Sequence, residues 1–487
     1  MNSKILRILS TGYLLISTLL FLYSWFRIEY AIFFLVGHVV LFTVYAFKSS
    51  VESEVLVPVK SLLGIAAIAF VWTLLMGVGG FFAQTTDYVA HNTKFYELFL
   101  NKWPITFDKK ETFACYYYGY YLVPGLLFKI VGDLSIVVIV AYTCLGIFLG
   151  LIWLYLLLFR NLYAVVAFLL CGGVLFSLKL ISYSLFQTSF GNNPLFSLFY
   201  QSIYVPNQTI PALICSGMFL FYLKDYRLSF YPITLAFYWG VFPALLLILV
   251  FGIYFLYDFF INNKRFSPGD FAINYFAPCL FFIPTFIYLT SSDEMPVHGF
   301  YNFTEVRSWL PLIEIVILAF ITLRLTKSGR QKHDVIPLPI IISCLAFLGA
   351  LLTYRLGVYN DLFMRGSMPL FFILLTNIFK KLYTESKENS EAIKYNASGT
   401  GNILIYLKKY PMIIIWVIIG SLSSLYQIRE LALKNVFLKT YEPLPYKTFP
   451  NSYEVLLKYY GEEGANQYLG DPLSFYYLNL APEKISQ

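Results

Sequence analysis

The sequence predicts an all-α, polytopic membrane protein that crosses a bilayer about 13 times. Three observations predict it. Of the 487 residues, 59% are hydrophobic and only 13% are charged, whereas a soluble domain carries about 25% charged residues. Apolar runs of about 18 residues or more recur along the whole chain, and a backbone in hydrocarbon must satisfy its own hydrogen bonds, so such runs read as helices. The Lys and Arg residues behind the net charge of +8 fall mainly in short connections between those runs. That is the pattern of a positive-inside membrane protein, and it gives no ground for a nucleic-acid partner.

Taken in order, the first apolar run is 6–26, preceded by Lys4 and Arg7. It lacks a small-residue cleavage site and reads as an uncleaved first helix with a cytoplasmic N-terminus. Runs at 28–47 and 58–82 follow, with Lys48 and Lys60 between them. The third run emerges on the outer face into a polar loop, 83–112. Residues 113–131, FACYYYGYYLVPGLLFKIV, are apolar but interrupted by Gly119, Pro124 and Gly125, so no regular span is expected there. Helices follow at 133–158 and 162–180, then an outer loop 181–207 with Gln187, Asn192, Asn193, Gln201 and Asn207. A helix at 208–223 returns inward. The run 229–259 is long for one helix and short for two; basic residues at both ends favour a tight pair. Helices at 273–290, 309–325, 336–353, 363–379 and 408–425 complete the set, with a polar loop at 380–407. The chain thus divides into a transmembrane helical domain, 1–425, and a short extracytoplasmic tail, 426–487, expected to pack against the outer loops. Six scattered cysteines form no CxxC pair and read as packed or lipid-facing thiols.

Chemistry is sought at the outer ends of the helices. In TTDYVAHNTKFYELFLNKWP, residues 85–104, Asp87 and His91 lie four apart and share a face if the segment is helical. A carboxylate at headgroup depth can take a proton from a sugar hydroxyl or hold a divalent cation beside a phosphate. The plainer alternative has Asp87 capping a turn and His91 packed at an interface. In YRLGVYNDLFMRGSMP, residues 354–369, Arg355, Asp361 and Arg365 adjoin apolar helices. Charge at that depth is costly and usually functional, and arginine suits phosphate; a structural Asp361–Arg365 ion pair is the alternative. QYLGDPLSFYYL, 467–478, is a candidate cap over the outer vestibule. Glu314 reads as an intramembrane or interfacial acid, and Lys179 as a snorkelling side chain. Glycosylation patterns at 207–209, 302–304 and 396–398 occur at chance frequency. No P-loop, dinucleotide fingerprint, HExxH or kinase signature is present, so no nucleotide hydrolysis is expected.

The run DYVAHNTKFYELFLNKWP, followed by YYYGYYLVPGLLFK and later by NDLFMRGSMP, resembles a family of uncharacterised bacterial polytopic membrane proteins. That family is in turn similar to the GT-C superfamily of integral membrane glycosyltransferases. The resemblance implies a glycosyltransferase moving a sugar from a polyprenyl-phosphate-linked donor in the lipid to an acceptor on the outer face; about 13 spans from a cytoplasmic N-terminus leave the C-terminus extracytoplasmic, and the lack of retention or transit signals fits a bacterial inner membrane. The resemblance also implies Asp87 as the functional acid of the first large loop; Asp87 and His91 are the catalytic candidates, and Arg355, Asp361 and Arg365, singled out above for their charge, are the candidate substrate-binding residues. Some members use a divalent cation; no metal ligand is assigned here. The sequence departs from the superfamily in placing the loop after the third helix and in carrying a single acid, followed by Tyr88. Two other classes stay open: a transporter or flippase for a lipid-linked or small polar solute, and a non-catalytic assembly partner or other glycan-modifying enzyme.

Overall fold

The computed structural model describes residues 1–50, 54–107, 112–186, 194–300, 306–327, 336–357, 360–393 and 411–482. Residues 108–111, Gln187, Asn192, Asn193, Arg330, Lys332 and the glycosylation patterns at 302–304 and 396–398 lie outside the described residues. The described residues are mainly helical, with two small antiparallel ribbons. Its helices are α1 (Ser3–Trp25), α2 (Ile28–Phe47), α3 (Val59–Leu75), α4 (Asp87–Leu100), α5 (Leu122–Val131), α6 (Ile136–Leu157), α7 (Leu162–Leu170), α8 (Val174–Phe186), α9 (Leu198–Tyr204) and α10 (Pro206–Phe221). They continue as α11 (Arg227–Ala236), α12 (Val241–Phe260), α13 (Pro268–Phe271), α14 (Ala277–Leu289), α15 (Val306–Lys327), α16 (Leu338–Leu351), α17 (Asp361–Ile393), α18 (Pro411–Ala432) and α19 (Ser452–Asn466). The ribbons pair β1 (Thr106–Phe107) with β2 (Thr112–Phe113), and β3 (His298–Phe300) with β4 (Tyr354–Leu356).

Among the described residues, seven helices are long and apolar enough to cross a membrane, or eight if the bent pair α7–α8 is one span. Other expected spans are shorter, such as α3, α10 and α16 at 17, 16 and 14 residues. Burial separates their roles. The apolar window of α1 is 61% buried and that of α2 only 22%, so α1 runs through the interior while α2 presents Phe33, Val36 and Val40 outward. The seam between α6 and α10 is tight because Gly146 and Gly150, four apart on α6, admit Ile210 and Leu213 of α10. Small residues at that spacing let helix backbones approach closely in lipid.

Several expected boundaries move. Residues 229–259 do form a pair, α11 and α12, parted at 237–240. The segment 113–131 contains the ten-residue α5, about 15 Å long and too short to span. The run 58–82 stops being helical at Leu75, where Gly77, Gly79 and Gly80 take positive φ. The helix expected at 363–379 runs on as α17 to Ile393, through residues assigned to a loop. The outer loop 181–207 contains α9. Asn207, in the glycosylation pattern 207–209, is 1% exposed inside α10, which keeps it from a glycan-transferring enzyme.

The main correction is at 162–180, expected as one helix. It is two, α7 and α8, bent by 59°. The freed backbone groups at 171–173 find protein partners: Gly172 N–H donates to the Gly420 carbonyl (3.0 Å) and Gly173 N–H to that of Leu195 (2.7 Å). Glu314 of α15 accepts from Leu175 N–H at 2.7 Å. Irregular backbone at membrane depth is tolerated only when protein satisfies it in this way. A Cβ on Gly420 would run into the Gly172 carbonyl. Gly420→Ala is therefore expected to lower stability by about 1–3 kcal/mol through overpacking, read as an earlier thermal unfolding in detergent; an unchanged transition would deny the close approach.

Candidate active site at the loop-bearing end

Loop 83–121 and the tail meet at one end of the helical body. Leu444 N–H donates to Gln84 Oε1 (3.0 Å), Asn92 Nδ2 to the Leu444 carbonyl (2.9 Å), and Ser452 Oγ to Glu97 Oε2 (2.8 Å). Further on, Cys115 N–H donates to the Tyr468 carbonyl, and Gly470 N–H to that of Phe113. The tail also pins the acidic turn at 291–294: Asp293 N–H donates to the Leu469 carbonyl, Asp471 N–H to that of Ser291, and Asn466 Nδ2 to Glu294 Oε1. The cap expected from 467–478 is thus built as backbone pairing.

Beneath it lies a cavity of about 630 Å³, lined among others by Asp87, His91, Arg355, Asp361 and Arg365. All five residues singled out in the sequence therefore share one site. Three elements deliver them. Helix α4 begins at Asp87 and brings His91 one turn later. Arg355 sits at the centre of the β3–β4 ribbon, opposite Gly299. Asp361 and Arg365 start α17 and form the i,i+4 ion pair weighed above as the structural alternative, Nη2 to Oδ1 at 3.1 Å. Arg365 Nη1 also donates to Tyr117 Oη (3.2 Å), which accepts in addition from Gln208 Nε2 (2.9 Å). Lys94, from α4, and Lys179, from α8, line the same space with Tyr116, Phe196, Tyr200, Tyr204, Tyr460 and Tyr468.

The side chains differ in what they can still do. Asp87 is half-buried, and Tyr460 Oη donates to its Oδ1 at 3.0 Å. Burial pushes its carboxyl above the ordinary range, while the Arg365 charge and the Tyr460 hydroxyl pull it back. His91 has no such latitude. Its Nε2 lies 2.8 Å from the Tyr204 carbonyl, which can only accept, so Nε2 carries the proton and Nδ1 accepts from Tyr121 Oη at 2.5 Å. Burial depresses its pKa to about 3. Both ring nitrogens thus tie α4 to α9 and the Tyr-rich segment, the arrangement of the plainer alternative, a packed histidine.

Lys94 went unassigned in the sequence, although its α4 stripe was visible there. It is 3% exposed, its ammonium 4.3 Å from the centroid of the Tyr116 ring, a cation–π geometry. Burial pushes its pKa down and that of Glu97, one turn on, up. Tyr460 carries no sequence signal at all; only the folded tail brings it to Asp87.

Among the described residues, no three His, Cys, Asp or Glu side chains group closely enough to hold a metal ion. Of the two cavity carboxylates, Asp361 is already held by Arg365. Among the described residues this donor set does not fit a divalent cation.

No protein-family model matches the chain, and no curated protein or solved structure is significantly similar to it.

Proposed function

We propose that the chain is a glycosyltransferase of GT-C-like architecture, with about 13 spans counting its shorter apolar helices. In this reading it sits in a bacterial inner membrane with the cavity end outward. It moves a sugar from a polyprenyl-phosphate-linked donor to an acceptor hydroxyl. One observation carries the reading: a half-buried acid, Asp87, shares a cavity with four cationic side chains, Lys94, Lys179, Arg355 and Arg365, drawn from separate segments. An anionic leaving group and a deprotonated base are what that set of charges serves.

In the reaction, the acceptor oxygen forms a bond to the anomeric carbon as the bond from that carbon to the phosphate oxygen breaks. The hydroxyl proton passes to Asp87, and the electron pair leaves with the polyprenyl phosphate. Charge that grows on the leaving phosphate is met by the arginines and Lys94, cations already held in place before the bond breaks. The leaving group needs no proton. Arg365→Ala is expected to weaken donor binding about tenfold or more, with a smaller effect on the rate at saturating donor. Donor titration and turnover measured on the same purified variant check this; unchanged donor affinity would remove Arg365 from the phosphate site.

The broken span favours a second reading, a transporter or flippase for a lipid-linked or small polar solute. Helices interrupted at membrane depth are common beside transport sites, and α8 delivers Lys179 to the cavity. Movement of an intact solute without bond cleavage distinguishes it.

A further inference from the structure

The tail reaches the cavity through α19. Asn451 caps that helix, accepting from Glu454 N–H at 3.0 Å, and Ser452 ties its start to Glu97. Its regular course ends one residue after Tyr460: Gly461 takes φ 73° and ψ −176°, a left-handed backbone that an L side chain adopts only with strain. Beyond the break, Gln467 and Tyr468 line the cavity, and 468–471 are zipped to 113–115 and Ser291. Tyr460 therefore stands between two anchored points, its hydroxyl on Asp87 Oδ1. Among the described residues, no other hydrogen bond reaches the Asp87 carboxylate, so Oδ2 remains for a substrate.

We propose that Tyr460 is a positioning residue for Asp87: the tail supplies a hydroxyl that orients the carboxylate and favours its charged form. This rests on the glycosyl-transfer reading. The charged and titratable groups around Asp87 are Arg365 and Asp361 from α17, Lys94 and His91 from its own helix and Tyr204 from α9, with Arg355, Lys179, Tyr116, Tyr200 and Tyr468 in the same cavity. Removing the Tyr460 hydroxyl leaves all of these in place and takes away one donor to the carboxylate. Asp87 then holds its proton to a higher pH. A base works only when deprotonated, so the loss falls on the acidic side of the profile.

The test uses the full chain in lipid nanodiscs as wild type, Tyr460→Phe and Gly461→Ala, the second keeping the hydroxyl but misplacing it. The pH profile of kcat/KM is read with a polyprenyl-phosphate sugar. The carboxyl infrared band that Asp87→Asn lacks is titrated in parallel without substrate. The expected result for Tyr460→Phe is about a tenfold loss on the acidic limb and less than about twofold on the plateau, with the infrared midpoint moved to higher pH. Gly461→Ala is expected to shift both readouts the same way. A uniform loss across pH with an unmoved midpoint overturns the proposal. A moved midpoint in a protein that transfers no sugar keeps Tyr460 as the positioner of Asp87 and removes the glycosyl-transfer reading instead.

Discussion

Asp87→Asn is expected to cut sugar transfer by about 10²–10⁴-fold, the usual worth of a positioned general base, while the protein still folds and still binds donor. The amide keeps the shape of the carboxylate and can still accept from Tyr460 at Oδ1, so the tail stays docked. What it loses is the ability to take a proton. Burial holds the Asp87 carboxyl above the ordinary carboxylate value, which makes the ionised form a stronger base and places the acidic limb of wild-type activity higher than an exposed Asp would. The limb should vanish with Asp87→Asn, leaving a low residual rate that does not depend on this ionisation. A variant as active as wild type would take Asp87 out of the chemistry.

Glu314→Ala is expected to be the most destabilising single change considered, by about 3–5 kcal/mol. Glu314 is 5% exposed and accepts from Leu175 N–H at 2.7 Å, with Leu195 N–H at 3.5 Å from its other oxygen. It therefore closes the break between α7 and α8 and holds the start of α8 in register with the strand of chain before α9. A carboxylate at a helix N-terminus also sits at the favourable end of the helix dipole. Alanine leaves those N–H groups without an acceptor where water has little access, at about 1–3 kcal/mol each, and opens a void. Lower yield, an early thermal transition and loss of the cavity wall that carries Lys179 should follow together. A variant with a wild-type transition would show that the break is held without Glu314.

How far the sequence foretold the structure depends on the range of the forces involved. Arg355, Asp361 and Arg365 could be singled out because charge beside apolar helices is costly wherever it occurs. The Asp361–Arg365 pair followed from helical spacing alone. That 113–131 holds no full-length helix agrees with the reading, but the reason differs: Pro124 and Gly125 lie within the first turns of α5, and the non-helical part is the Tyr-rich stretch before Leu122. The break in 162–180 was not foretold, because Gly172 and Gly173 sit in a run that is apolar on both sides, and the groups that stabilise the bend, Glu314 and Gly420, are remote in sequence. Helix α17 outruns its apolar stretch because Lys and Glu favour helix as well as water. A hydropathy reading sees only the apolar part. The GxxxG spacing at 146–150 was in plain view, yet its meaning needed the partner helix α10. His91 shows the same limit at the site: the sequence left open a ligand-facing or a packed histidine, and only its two partners, Tyr121 and Tyr204, show the ring held at both nitrogens.

The most direct measurement sets bond cleavage against passage. The purified chain is reconstituted in sealed vesicles that carry a short-chain polyprenyl-phosphate sugar, an acceptor is supplied on the cavity side, and the lipids are analysed chemically. Glycosyl transfer predicts that free polyprenyl phosphate accumulates in step with a newly glycosylated acceptor, and that Asp87→Asn stops both. Recovery of the sugar–lipid intact on the opposite leaflet, equally in wild type and Asp87→Asn, would contradict it.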